Sequence, residues 1–445
     1  MINLFETYNI ESRDLLISEK LAGFTIPSVV IDDDGFLPDD VESPIKYFCH
    51  LNSNHRPLYF DQVKIPHYWR IQADAQSGHI YDLKTKKANI IFARPDNTRT
   101  VREVQWLDES GHISWVDRYD KHATLFSKIY FDNGQPAVCE YYDINGNKVI
   151  EQNLRSRDIF LNFKGEKRHF ADMPDLVLYY LKLQKYNLNH ILYNTLNMSL
   201  AVTLRLPADS GQDMLIWHEK LGDELPGNMQ FLMDNATRTT KIAFQNYEDW
   251  KNKQELIPKD SKIDFMYLGT IYPHPRPNKL RPQALVLTNS DQLDQLGLLV
   301  QLMPNVTFNI AAVTEMSSKL LAFGDYKNVE VFPQVSHEKV MDLIKTCDLY
   351  LDINQGNEIL DSVRGAFEQN MLILGFKNTI HEPKFIAQQN IYDSNETGAK
   401  LMAQKALSAL VKPELMGQLV DEQRSEAGDV WPKDYKRILG EWINE

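Results

Sequence analysis

Residues 347–376, CDLYLDINQGNEILDSVRGAFEQNMLILGF, form the stretch from which the fold is read. Two short apolar runs, 349–353 and 371–376, flank a segment in which Ile359, Leu360, Val363, Ala366 and Phe367 recur at helical spacing. The order is strand, loop, helix, strand, the repeating unit of a parallel α/β sheet. In such a sheet the loop leaving the first strand and the helix N-terminus behind it make the usual anion site. Free backbone N–H groups and the positive end of the helix dipole face a ligand there, and the loop is expected to be rich in glycine.

The same grammar extends upstream. Strands are expected at 284–287, 307–311 and 329–332, with helices at 291–303, 315–323 and 336–345, which gives a second Rossmann-like domain over residues 269–415. Ser336 ahead of an apolar periodic run is an ordinary helix cap, so His337 reads as a surface residue. Ahead of this domain, Met173-Pro174 resets the pattern. A helix at 176–183 and short elements at 190–194, 214–218, 229–233 and 242–244 make a smaller first Rossmann-like domain, 171–268. The crossing between them, TIYPHPRPNKLRP (270–282), is stiffened by prolines and carries His274, Arg276, Lys279 and Arg281. Helices over 416–445 close the chain.

Residues 1–170 read as an N-terminal helix (11–24) followed by a β-rich add-on domain. From Tyr59 to Phe170 strands alternate with turn signals: Asp108 to Gly111, Asp132-Asn-Gly134, Asp143 to Gly146 and Lys164-Gly165. Asn-Gly is the strongest short hairpin signal because both central residues of a type I′ turn need positive φ. The strands are aromatic, and Tyr130, Tyr141 and Tyr142 place apolar bulk on both faces, so one face is expected to meet a partner. The acidic turn Asp32-Asp-Asp-Gly35 lacks the alternating carboxylates and closing acid of a calcium loop and reads as a solvated turn.

The closing run MLILGF fixes a register in which the second domain resembles the nucleotide-binding half of a retaining GT-B glycosyltransferase. Active members carry a Glu-x7-Glu pair and a Gly-Phe-Gly-like loop that hold the donor. Here the carboxylate positions fall on Asn357 and Gly365, and the loop on Glu358, Ile359 and Leu360. Such enzymes also end the first strand in a turn with two cations for the donor diphosphate, and those positions fall on Asn289 and Asp294. A carboxylate about 4 Å from a phosphate costs roughly 4 kcal/mol at an effective dielectric near 20. Fold, deletions and length together resemble the accessory GtfB-type subunits of the two-protein O-GlcNAc transferase that modifies serine-rich repeat adhesins. That resemblance implies a pseudo-glycosyltransferase that needs no metal or cofactor. Its partners would be a catalytic GtfA-type subunit, which it stabilises, and the serine-rich acceptor polypeptide.

Composition agrees with a soluble chain: 445 residues, 43% hydrophobic, 24% charged, net charge −13. An acidic balance argues against nucleic acid. Cys49, Cys139 and Cys347 show no paired spacing, so neither a disulfide framework nor a zinc site is expected. Glu6, Glu11 and Asp14 interrupt any signal-peptide pattern, and no apolar run reaches the roughly 20 residues of a membrane span. The expected location is the cytoplasm, with any membrane association peripheral on its inner face. Strand-end positions nominate Trp217, His218, Glu219, Asn354 and Gln355 as acceptor contacts. Two other readings stand beside this one: an active retaining transferase using UDP-GlcNAc, in which Arg276, Lys279 or Arg281 replaces the lost cations, and a purely structural scaffold.

Overall fold

The computed structural model describes residues 1–51, 54–74, 76–94, 98–258 and 260–444. The chain begins β1 (Ile2–Phe5), α1 (Ile10–Leu21), β2 (Ser28–Val30), β3 (Val41–Glu42) and α2 (Pro44–Phe48). Ten strands follow: β4 (Arg70–Ala73), β5 (Ser77–Asp82), β6 (Thr85–Phe92), β7 (Val101–Leu107), β8 (Ile113–Tyr119), β9 (Leu125–Asp132), β10 (Gln135–Tyr142), β11 (Lys148–Asn153), β12 (Ile159–Phe163) and β13 (Glu166–Phe170). Next come α3 (Met173–Leu183), β14 (Ile191–Tyr193), α4 (Met198–Thr203), β15 (Asp213–Trp217), α5 (Gly227–Asp234), β16 (Thr239–Phe244), α6 (Tyr247–Asn252) and β17 (Asp264–Tyr267). The remainder is β18 (Gln283–Thr288), α7 (Leu296–Leu302), β19 (Thr307–Ala312), α8 (Ser318–Leu321), β20 (Val329–Phe332), α9 (His337–Thr346), β21 (Leu349–Asp352), α10 (Ser362–Glu368), β22 (Leu372–Phe376), β23 (Ile391–Tyr392), α11 (Glu396–Val411), α12 (Pro413–Glu426) and α13 (Pro432–Asn444).

These elements form two compact units, residues 1–19, 24–268 and 439–445 in one and 20–23 and 269–438 in the other. The first unit holds a parallel sheet ordered β17-β16-β15-β14-β1-β2-β3 and the ten-strand antiparallel sheet in simple up-and-down order. This redraws the expected boundary at residue 170. β1 to β3 belong to the parallel sheet, so the antiparallel sheet interrupts that sheet's chain rather than preceding it. Ile2 to Phe5 and Ser28 to Val30 are buried at every position, the mark of strands covered on both faces. α1 is the crossover between β1 and β2.

The antiparallel sheet has two different faces because its side chains alternate. Phe126, Cys139, Tyr141 and Ile150 share one core with Phe48 of α2 and with Leu176 and Tyr180 of α3. Each such aromatic contributes roughly 1.5–3 kcal/mol on full burial. The chain's own helices therefore cover this face, and the other face carries Tyr130. The hairpin joining β9 to β10 turns at Asn133 and Gly134, both at positive φ (53° and 73°), as the Asn-Gly dipeptide requires.

The second unit is a six-stranded parallel sheet, β20-β19-β18-β21-β22-β23. Its β18 to β23 run in the 3-2-1-4-5-6 order of doubly wound nucleotide folds, with the order reversing between β18 and β21. α11 and α12 pack in this unit's cores, and Gln423 of α12 accepts the Ile373 N–H (3.0 Å) and donates to Met371 O (3.1 Å). Among the described residues no helix is long and apolar enough to cross a membrane.

Candidate functional site

In open α/β sheets, ligands sit beyond the carboxyl ends of the strands where the order reverses. In the second unit that crevice lies between the loops that follow β18 and β21, where the sequence placed the donor site. The two loops are sewn together. Leu293 and Asn354 form an antiparallel bridge, Asp294 N–H donates to Ile353 O (2.9 Å), and Gln355 N–H donates to Gln292 O (3.0 Å). Loop pairing also shortens the expected helix at 291–303, because residues up to Gln295, itself at φ 53°, stay outside α7.

Side chains complete the closure. Asn354 is 3% exposed. Its Oδ1 accepts from Thr288 Oγ1 (2.9 Å) and Gly356 N–H (3.1 Å), while its Nδ2 donates to Asn289 Oδ1 and Asn357 O (3.3 Å each). Gly356 is required there: a Cβ would stand 1.9 Å from Asn289 Oδ1. Asp294 receives Gln355 Nε2, Ser394 Oγ and Asn378 Nδ2, the last at 2.6 Å. The anion expected to repel a diphosphate is thus held by three neutral donors of the chain itself.

The helix end behind the loop is filled in the same way. Leu360 and Asp361 take left-handed φ (55° and 48°), so α10 starts only at Ser362 and Ile359 and Leu360 are not helical as expected. Glu358 Oε1 accepts the Val363 N–H at 2.9 Å, placing a carboxylate where an external anion would dock. Burial pushes the Glu358 carboxyl above the usual range. Gly365 lies in α10, where a Cβ would contact Ile344 of α9 at 3.4 Å.

His381 fastens the loop from below. Its Nδ1–H donates to Asp352 Oδ1 (2.5 Å), its Nε2–H to Gly356 O (2.7 Å), and its backbone N–H to Asp352 Oδ2 (2.9 Å). The Asp352 hydrogen bond, against the opposing effect of burial, raises His381 to about 9, so the ring is an imidazolium at neutral pH.

The cations proposed to replace the lost pair occupy the opposite edge of the sheet. Asp348, immediately before β21, is fully buried and binds Arg276 Nη1 (2.6 Å) and Arg281 Nη2 (2.8 Å), and it accepts the Lys279 N–H (2.9 Å). Burial works against ionisation of Asp348, yet hydrogen bonds from Arg281 and Arg276 hold its pKa below the usual carboxylate value. β21 separates this cluster from Asn354 by about 20 Å at roughly 3.3 Å per residue. His274 is likewise engaged, with Asp429 Oδ2 at 2.8 Å.

The other nominated residues scatter. Trp217 is 4% exposed in a core with Tyr193, Leu225 and Phe244, so its ring is not available for stacking, although its Nε1 is buried without a hydrogen-bond partner among the described residues. His218 is half-buried and Glu219 exposed beyond β15, and Gln355 and Asn357 are exposed. Tyr141 belongs to the core at 5% exposure and drops out as an interface residue, while Tyr130 (38%) and Tyr142 lie on the other face. His381, Asn378 and Ser394 were missed: each acts through a contact that only the folded sheet creates.

Two doubly wound parallel sheets, the second with its switch-point loops cross-linked by hydrogen bonds, define a GT-B-like fold carrying a large inserted antiparallel sheet. Family models match along the chain: the GtfB N-terminal domain over residues 2–48, the GtfB middle domain over 69–171, the GtfB third domain over 174–256, and the GftB/GlyA-F C-terminal domain over 284–423. The chain is 53% identical over 441 residues, covering 99% of both chains, to the UDP-N-acetylglucosamine–peptide N-acetylglucosaminyltransferase stabilizing protein GtfB of Limosilactobacillus reuteri subsp. suis. It is 39% identical over 443 residues to the protein of that name from Streptococcus gordonii, covering 99% of this chain and 98% of that one. A chain in the crystal structure of a GtfA/B complex bound to UDP and GlcNAc matches with TM-score 0.93 and 39% identity over 100% of both chains. The protein belongs to the family of GtfB glycosyltransferase-stabilizing proteins.

Proposed function

We propose that this chain is the non-catalytic subunit of a cytoplasmic protein O-GlcNAc transferase, stabilising a GtfA-type catalytic partner and holding the serine-rich acceptor while that partner glycosylates it. The observation that carries the non-catalytic reading is the hydrogen-bonded pairing of the two switch-point loops in the second unit. The resemblance to GT-B enzymes puts Asp294 where the donor diphosphate would need a cation, and Gln355, Asn378 and Ser394 donate to it. The active-transferase reading is weakened, since Arg276 and Arg281 are committed to Asp348 and Lys279 lies beside them at the far edge. The stabilising role rests on relatives bearing that name and on likeness to a chain of a GtfA/B complex.

Co-expression with the catalytic partner tests the proposal. Soluble yield of the partner and GlcNAc transfer to a serine-rich peptide should both rise in the presence of this chain, and this chain alone should transfer nothing. Transfer by the isolated chain would refute it.

A further inference from the structure

The second face of the antiparallel sheet is only half covered. Cross-strand register puts Val104, Trp106, Trp115, Asp117, Lys128 and Tyr130 on this face. Over β5 to β7 the segment around Leu58 to Ile65 closes it, with Val63 buried against Ile80, Ile90 and Val104. At β8 the cover ends. A groove of about 1310 Å³ opens between residues 54–64 and β8 to β10, floored by Tyr119, Lys128, Tyr130 and Tyr142 and ended by the turn at Asp143 to Gly146.

Its size and lining restrict what it takes. A small-molecule pocket is roughly 300–1,000 Å³, so this space suits a length of extended chain. Tyrosine rings offer flat, low-entropy contacts, and their hydroxyls and the turn's backbone can bond a polar peptide. The charge is opposite to that of the molecule. Arg56, Lys64 and Lys128 line the groove with Asp143, and Glu140 accepts from the floor residue Tyr142, in a chain whose net charge is −13. Lys128 is paired with Asp117 at 3.1 Å, but Arg56 and Lys64 are exposed and in no ion pair among the described residues. Asn54 and His122 also line a neighbouring cavity of about 280 Å³ that reaches Asp33, beyond the carboxyl end of β2 in the first unit's parallel sheet.

We propose that this groove is the seat of the acceptor and selects an extended, hydroxyl-rich polypeptide that carries acidic residues. Carboxylates of the chain meet Arg56 and Lys64, and its backbone lies across Tyr130 and Tyr142. The proposal rests on the acceptor-binding part of the reading above and adds its location and charge preference.

Fluorescence anisotropy with three labelled peptides, Ser/Glu, Ser/Gln and Ser/Lys, tests it on the full chain. The Ser/Glu peptide should bind tightest and weaken with salt. The R56E/K64E variant should lose about tenfold of that affinity, since two rim attractions become repulsions. Tyr130→Ala should weaken all three peptides, and Lys339→Glu on the second unit should change nothing. Unchanged Ser/Glu binding in both groove variants, with wild type binding normally, overturns the groove while leaving acceptor binding intact. Loss of the catalytic partner from R56E/K64E with unchanged peptide binding overturns it too, and assigns the face to that subunit. No binding of any peptide by wild type overturns the acceptor-binding reading itself.

Discussion

His381 gives the sealed crevice a measurable pH dependence. Its ring is protonated up to about pH 9 in the folded protein and donates to Asp352 and Gly356. A proton held to about pH 9 instead of roughly 6.5 stabilises the fold by about 3 kcal/mol, at about 1.4 kcal/mol per tenfold in binding. The side chain is 15% exposed, and solvent screening lowers this to about 2 kcal/mol. Because the folded pKa is raised, the contribution is whole below the unfolded value and is lost as pH rises through about 9. Equilibrium urea unfolding of wild type and His381→Gln from about pH 6 to about pH 10 isolates it, since other titrations cancel in the difference. Wild type should exceed the variant by about 2 kcal/mol near pH 6, and the gap should close toward pH 10. A gap independent of pH would refute a charged His381.

Other residues give further tests. Gly356→Ala puts a Cβ 1.9 Å from Asn289 Oδ1, so it should cost about 1–3 kcal/mol and speed amide exchange in residues 353–357. Asp348→Ala strips the buried partner from Arg276 and Arg281 and should cost about 3–5 kcal/mol by urea unfolding, without creating or removing nucleotide binding. Tyr141→Ala should cost about 3 kcal/mol, whereas Tyr130→Ala on the open face should cost under about 1 kcal/mol.

What the sequence disclosed was what local chemistry decides. The β21-α10-β22 unit followed from its apolar runs, and Asn133-Gly134 marked its hairpin because positive φ is a property of the dipeptide. β1 was not read as a strand, and residues 1–170 were grouped as one add-on domain, because the partner of β1, Ile191 opposite Ile2, lies far along the chain. At the candidate site the amide of Asn289 and the carboxylate of Asp294 are legible in the sequence, and their reading as lost cation positions comes from the resemblance to GT-B enzymes. That Asp294 would be claimed by Asn378 and Ser394, or that Asp348 would draw Arg276 and Arg281 to the far edge, depends on strands meeting in three dimensions. Trp217 was nominated by its strand-end position and Tyr141 by the aromatic bulk of its strand; β15 is buried at every position, and strand alternation turns Tyr141 into the core.

Titration calorimetry of the isolated chain with UDP-GlcNAc is the most direct test of the sealed crevice. No saturable heat should appear, and Asn354→Leu, which opens the loop, should not create any. Saturable binding abolished by substitutions at Asn289, Asn354 or Gly356 would mean that this crevice still takes a donor, and would contradict the account.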